Sequence, residues 1–167
     1  SSKGDIAVVH NGIIENYLEL RKWLISEGYE FFSETDTEVV PNLIHNYYEG
    51  NLFEAVVKAT KKLEGSYALG VVCGDEQDKL IAVRKDSPLI VGLGNGENFI
   101  ASDIPAVIKY TRDVYLLDDN EFVVMDRNGV SILSANGERI DKNIYKVTWS
   151  EDAAEKGGYD SFMLKEI

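Results

Sequence analysis

The chain is poor in the residues that most often carry chemistry. Among 167 residues it has one cysteine, Cys73, and two histidines, His10 and His45. A single cysteine cannot close an internal disulfide, which fits a reducing, cytoplasmic setting. Cys73 ends the apolar run Tyr67-Ala68-Leu69-Gly70-Val71-Val72 and reads as a buried structural thiol, because apolar surroundings raise a thiol's pKa and suppress the thiolate. So few cysteines and histidines, scattered along the chain, make no metal-ligand cluster, and no cofactor is expected.

Positive charge is scarce too. Seventeen Lys and Arg face 29 Asp and Glu, a net charge of -12, and that field opposes binding to nucleic acid or an anionic membrane. Its plain reading is solubility. No apolar run approaches the ~20 residues of a membrane-spanning helix. The opening Ser1-Ser2-Lys3-Gly4-Asp5 is not a basic segment leading into an apolar one, so no secretory leader is read. Gly92-Leu93-Gly94-Asn95-Gly96 is glycine-rich but lacks the lysine and Ser/Thr of a phosphate-binding loop, and a turn is its simpler reading.

What remains is a globular composition, 44% hydrophobic and 28% charged, with length for one core. Ile6-Ala7-Val8-Val9 reads as a buried strand that ends in a tight Asn11-Gly12 turn. A helix is expected over 14–27 with Ile14, Tyr17, Leu18, Leu24 and Ile25 on one face, stopped by Gly28. A short strand over 29–32 should follow. A second helix starts near Thr35-Asp36-Thr37-Glu38, whose Thr35/Glu38 spacing suits a capping box and whose Asp36 could itself cap. Its apolar stripe is Val40, Leu43, Ile44 and Tyr47, and Pro41 lies deep enough to kink it. Asn51 caps a third helix that turns Phe53, Val56, Val57 and Leu63 inward and ends at Gly65.

Strand-like runs come next at 67–73, 80–84, 89–93 and 99–101, with one short helix over 105–110. Runs over 122–125 and 130–133 flank Asp126-Arg127-Asn128-Gly129, a hairpin signal. The pattern thins after Ile144, and 152–158 reads as tail or linker. The expected organisation is a domain over 1–146 and a tail over 147–167. Helices interrupting early strands, then a series of strands, give an α+β class with helices packed on antiparallel sheet.

Two short stretches could do chemistry. His10-Asn11-Gly12 ends a strand, where a side-chain amide donor and a glycine N–H open to close approach could hold an oxyanion during acyl transfer. Asn-Gly is equally a common turn dipeptide. Asp36 could bind a substrate ammonium or simply satisfy free N–H groups at a helix start. Histidines in such settings, His10 and His45 included, are commonly hydrogen-bonded structural residues.

Five segments in order carry a family resemblance. Ile6-Ala7-Val8-Val9-His10-Asn11-Gly12-Ile13-Ile14-Glu15-Asn16-Tyr17 resembles the oxyanion-hole segment of class II glutamine amidotransferases. Phe32-Ser33-Glu34-Thr35-Asp36-Thr37-Glu38-Val39 resembles their second signature. Ser87-Pro88-Leu89-Ile90-Val91-Gly92-Leu93-Gly94, Gly96-Glu97-Asn98-Phe99-Ile100-Ala101-Ser102-Asp103 and Phe162-Met163-Leu164-Lys165-Glu166-Ile167 look like the glutamine–fructose-6-phosphate aminotransferase branch.

The resemblance implies an N-terminal-nucleophile hydrolase fold, a four-layer αββα sandwich of antiparallel sheets, incomplete here because its first strands are missing. It implies that a cysteine thiol attacks the side-chain amide of L-glutamine with its own α-amino group as base. Asn11 and Gly12 would form the oxyanion hole. Asp36 would receive the α-ammonium, with His10 beside it as a second substrate-binding residue. Ammonia would pass to fructose 6-phosphate in a separate isomerase domain, giving glucosamine 6-phosphate, and the full-length form would be a homo-oligomer.

The family's nucleophile and the arginine loop that grips the glutamine carboxylate belong upstream of Ser1, so the chain alone is expected to be inert, with open sheet edges prone to association. Ser1 could formally replace the nucleophile, but it matches a position inside the family's domain. The rival readings are a class II amidotransferase with another ammonia acceptor, a non-catalytic binding module on the same fold, and an unrelated α+β domain.

Overall fold

In the computed structural model, which describes residues 1–148, the first strand is longer than expected. β1 spans Ile6–Ile14 and runs straight through His10-Asn11-Gly12. All nine residues pair antiparallel with β2 (Gly65–Cys73), from Ile6 against Cys73 to Ile14 against Gly65. The expected turn at Asn11-Gly12 is therefore absent. Gly12 has φ +115°, a conformation glycine can hold within a strand without ending it. Nor is the strand buried on both faces. Ile6 and Ile14 are buried, whereas Val9 and Ile13 are about two-thirds exposed, 67% and 66%.

The chain then forms α1 (Tyr17–Ser26), a 3₁₀ turn (Asp36–Glu38), α2 (Val39–Tyr47) and α3 (Leu52–Thr60). α1 begins three residues later than expected because Ile14 stays in the sheet. It buries Leu20 and Leu24, while Leu18 and Ile25 of the expected stripe are exposed. Gly28, at φ +93°, donates to the Ile25 carbonyl and ends this helix as read.

The strand expected over 29–32 does not form. Its backbone donors are taken by other acceptors: Tyr29 N–H by the Leu24 carbonyl, Glu30 N–H by Ser2 Oγ, and Phe32 N–H by Glu38 Oε1. Three of the four N–H groups are thus taken by local bonds in place of a ladder. α2 buries Val39, Val40, Leu43 and Ile44. Pro41 is its third residue, within the first turn, where a missing N–H breaks no helical bond. Asn51 caps α3 as read, accepting from Glu54 N–H at 3.1 Å.

Two units divide the chain: Ser1–Ser87 with Asp118–Ile140, and Pro88–Leu117 with the segment from Asp141 onward. The first holds a five-stranded antiparallel sheet ordered β1-β2-β3-β7-β8, with β3 at Leu80–Lys85, β7 at Phe122–Asp126 and β8 at Gly129–Leu133. One face carries Leu69, Val71, Cys73, Ile81, Val83 and Phe122 into a core shared with α1, α2 and α3. Each Val, Leu or Ile sealed there contributes roughly 1.5–3 kcal/mol relative to exposure. The β7–β8 hairpin forms as read, and Asp126 Oδ1 accepts from Asn128 N–H within its turn.

The second unit is a four-stranded antiparallel sheet ordered β5-β4-β6-β9. β4 is Ile90–Leu93, β5 Asn98–Ala101, β6 Asp113–Leu116 and β9 Tyr145–Lys146. Ile90, Val107, Ile108, Val114 and Val147 form its small core. Only a 3₁₀ turn, Ile104–Ala106, stands where a helix over 105–110 was expected. β6 and β9 escaped the sequence reading. β6 opens on a charged residue and β9 is two residues long, so neither gives an apolar alternation. The tail features read at 152–158 and the closing segment 162–167 lie outside the described residues.

Candidate active site

β1 is an edge strand of its sheet among the described residues. The Glu15 N–H donates to the Glu64 carbonyl, and the Gly74 N–H to the Asp5 carbonyl. Antiparallel pairing alternates, so odd-numbered β1 residues turn N–H groups toward β2 and even-numbered ones turn them outward. The N–H groups of Gly12 and Ile14 therefore face the open edge, two residues and roughly 7 Å apart.

The 3₁₀ turn Asp36–Glu38 lies along that edge. Asp36 Oδ2 accepts from the Ile14 N–H at 2.7 Å. His10 Nδ1 and Thr37 Oγ1 share a hydrogen bond at 2.9 Å. Glu38 reaches back, accepting from Phe32 N–H at 2.6 Å and from Ser33 N–H at 2.9 Å. Burial pushes the Glu38 carboxyl up, but the donors of Phe32 and Ser33, with Arg21 nearby, outweigh it and hold its pKa below the usual value.

These bonds correct the capping reading. Thr35 makes no side-chain cap and instead meets Ser33 Oγ, while Glu38 serves Phe32 and Ser33 rather than the Thr35 N–H. Asp36 does not cap its own turn with its side chain; the carboxylate crosses to β1.

Gly12 is glycine for two reasons beyond its φ. A Cβ there would sit 2.3 Å from the Ser66 carbonyl oxygen and 2.9 Å from Ser87 Oγ. Asn11 is exposed, and strand alternation places its side chain with Ala7, Val9 and Ile13 on the face turned away from the helices. The sequence-read residues Asn11, Gly12, His10 and Asp36 thus converge on one end of β1 and the turn beside it. Thr37 and Ser87 were missed. Neither residue type signals a site by itself, and only the fold brings them to His10 and Gly12.

Three other candidates fall elsewhere. His45 Nδ1 pairs with the Tyr29 hydroxyl at 2.7 Å, and burial, then the nearby Ser1 ammonium and Lys3, lower its pKa. Ser1 ties its ammonium to the Ile6 carbonyl at 2.5 Å, six strand residues and roughly 20 Å from Gly12. Cys73 is buried in the helix-facing core. Among the described residues no group of His, Cys, Asp and Glu could hold a metal ion, and no helix is long and apolar enough to cross a membrane.

Comparison with known proteins gives this geometry a family. Over its full length the chain is 68% identical to the glutamine–fructose-6-phosphate aminotransferase [isomerizing] of Clostridium tetani. It is 64% identical to that of Clostridium perfringens, and 48% identical over 165 residues to that of Thermotoga maritima. The chain spans just over a quarter of these relatives, 28%, 27% and 27% of their lengths.

Among solved structures, the glutamine phosphoribosylpyrophosphate amidotransferase of Bacillus subtilis superposes with a TM-score of 0.70 at 22% identity, covering 81% of this chain and 30% of that one. A glutamine aminotransferase class-II domain protein from Silicibacter pomeroyi gives 0.56 at 16% identity, covering 77% and 65%. At such identities the likeness speaks for the fold, α+β of the N-terminal-nucleophile hydrolase type. Residues 1–109 match the family model described as a glutamine amidotransferase domain, and the chain belongs to that family.

Proposed function

We propose that this chain is part of the glutaminase domain of a glutamine–fructose-6-phosphate aminotransferase. That enzyme releases ammonia from L-glutamine and delivers it to fructose 6-phosphate. The observation that carries the reading is the open edge of β1. There the outward N–H of Gly12 and the carboxylate held at Ile14 stand roughly 7 Å apart. In an extended glutamine the α-ammonium and the side-chain amide oxygen are roughly 6 Å apart. Asp36 then takes the ammonium, and Gly12 N–H with the Asn11 side chain takes the amide oxygen as it becomes an oxyanion.

In this mechanism the nucleophile adds to the amide carbon, the carbonyl π electrons move onto oxygen, and the donors of Asn11 and Gly12 stabilise that charge. The nucleophile's proton passes to the leaving nitrogen, so collapse expels ammonia and leaves an acyl-enzyme, which water hydrolyses to glutamate. Buried Cys73 does not fit the attacking role. We assign it to an N-terminal cysteine outside these 167 residues, so the chain alone should be inactive. The same reading carries a cytoplasmic setting, supported by the single buried thiol, and self-association of the full-length enzyme.

The test is the full-length enzyme bearing this domain, supplied with glutamine and fructose 6-phosphate. It should form glutamate and glucosamine 6-phosphate in equal amounts. Glutamate formation with no amino sugar, under conditions where a different acceptor is aminated, would favour the other class II reading. No glutamine hydrolysis at all would favour the non-catalytic module.

A further inference from the structure

We propose that His10 is a positioning residue. It fixes the turn that carries Asp36 by bonding the Thr37 hydroxyl, and it does not touch the substrate. This rests on the reading of Asp36 as the ammonium partner. The 3₁₀ turn runs directly into buried Val39 and Val40 of α2, which fixes its C-terminal end, but at its N-terminal end Thr35 gives it no side-chain cap. Beyond that helix, Asp36 is placed by side-chain ties on three consecutive residues: Asp36 to Ile14 N–H, Thr37 to His10, and Glu38 to Phe32 and Ser33. Only two of these reach β1. The Asp36 tie uses the group that must also meet the ligand, so of the two ties to β1 the His10–Thr37 bond is the one that holds the turn independently of occupancy.

The ring itself supports this assignment. His10 Nε2 is buried and has no hydrogen-bond partner among the described residues. A buried polar atom without a partner is unfavourable, and a leucine at this position would avoid it. With the proton on Nδ1, the ring donates to Thr37 Oγ1 and Nε2 is a bare lone pair, so no donor is stranded. The ring's polarity is then used at Nδ1 alone, toward Thr37.

The ammonium contact is present both in bound glutamine and in the transition state. Misplacing Asp36 should therefore raise KM for glutamine and leave kcat nearly unchanged. One neutral hydrogen bond sets the scale, about three- to tenfold.

The test uses full-length enzyme and five variants, with melting temperature measured alongside. Thr37→Val and His10→Leu should raise KM about three- to tenfold at unchanged kcat. Thr37→Ser, which restores a hydroxyl, and His10→Asn, whose amide can stand where Nδ1 does, should return KM to within about twofold of wild type. Asp36→Asn separates the two ideas. If it raises KM while Thr37→Val does not, the positioning role is overturned and the site reading stands. If neither raises KM, the site reading itself is wrong, and the proposal goes with it. A fall in kcat of tenfold or more in Thr37→Val at unaltered melting temperature also overturns it, since that would place the pair at the reacting atoms. Should His10→Leu not fold, the two Thr37 variants decide alone.

Discussion

The Asp36 carboxylate accepts a hydrogen bond from the backbone N–H of Ile14 at 2.7 Å, joining a 3₁₀ turn to the free edge of the first strand. One carboxylate oxygen anchors the turn, and the negative charge stands roughly 7 Å along the strand from the outward N–H of Gly12. Anchor and ligand roles separate in Asp36→Asn. Its amide oxygen can still accept from Ile14, but it has no charge for an ammonium. Stability should change by less than about 1 kcal/mol, the scale of one neutral hydrogen bond. KM for glutamine in the full-length enzyme should rise by tenfold or more. Unchanged KM would make Asp36 an anchor only.

Gly12→Ala tests whether the conformation of β1 depends on this glycine. The added methyl would meet the Ser66 carbonyl at 2.3 Å, with φ at +115°. Gly129, at φ +131°, has nothing within 4 Å of the same methyl and isolates the backbone contribution. Positive-φ strain costs about 1–3 kcal/mol at either position. Denaturant unfolding should show Gly12→Ala losing clearly more stability than Gly129→Ala. Equal losses would mean that the strand yields and the close contact with Ser66 carries no weight.

Glu38 predicts an acid-side sensitivity. Its pKa is lowered on folding, so the unfolded state binds the proton more tightly as pH falls. The stabilisation is fully present above the unfolded value of 4.5 and is lost as pH drops through the lower folded value. Wild type should lose more stability between pH 6 and pH 3 than Glu38→Gln, by about 1 kcal/mol or less because the group is partly exposed. Parallel curves for the two proteins, measured by urea unfolding at several pH values, would count against the Phe32 and Ser33 ties.

Cys73 should behave as core. It is 5% exposed and packed with the helix-facing side of the sheet. A thiol-reactive chromogenic disulfide should leave it unmodified in folded protein and label it only as the fold opens. Cys73→Ala should leave kcat for glutamine in the full-length enzyme within about twofold of wild type, apart from a cavity cost to stability. Rapid labelling of the folded protein, or a collapse of kcat in a folded variant, would return this thiol to the list of nucleophiles.

Much of the fold was legible where local rules act alone. Asn51 caps α3, Gly28 ends α1, the Val40, Leu43 and Ile44 stripe is buried, and the 126–129 turn closes its hairpin. The failures share a cause. Asn11-Gly12 reads as a turn because the dipeptide favours one, but nine consecutive pairs with β2 override that preference. Residues 29–32 look like a strand, yet Leu24, Ser2 and Glu38 take the donors of Tyr29, Glu30 and Phe32 first. For the site, Asn11, Gly12, Asp36 and His10 could be named from their motifs. That Thr37 is the partner of His10, and Ile14 that of Asp36, depends on pairings 27 and 22 residues apart, which no local pattern encodes.

The central claim is that the end of β1 is where the oxyanion forms, and Asn11→Ala in the full-length enzyme tests it most directly. Asn11 is exposed, so its loss should leave stability nearly unchanged. The account predicts that kcat for glutamine hydrolysis falls by about 100-fold or more while KM changes little, since the donor acts on the transition state. A folded Asn11→Ala enzyme with kcat within about twofold of wild type would contradict it, and Asn11 would then be an ordinary residue of an edge strand.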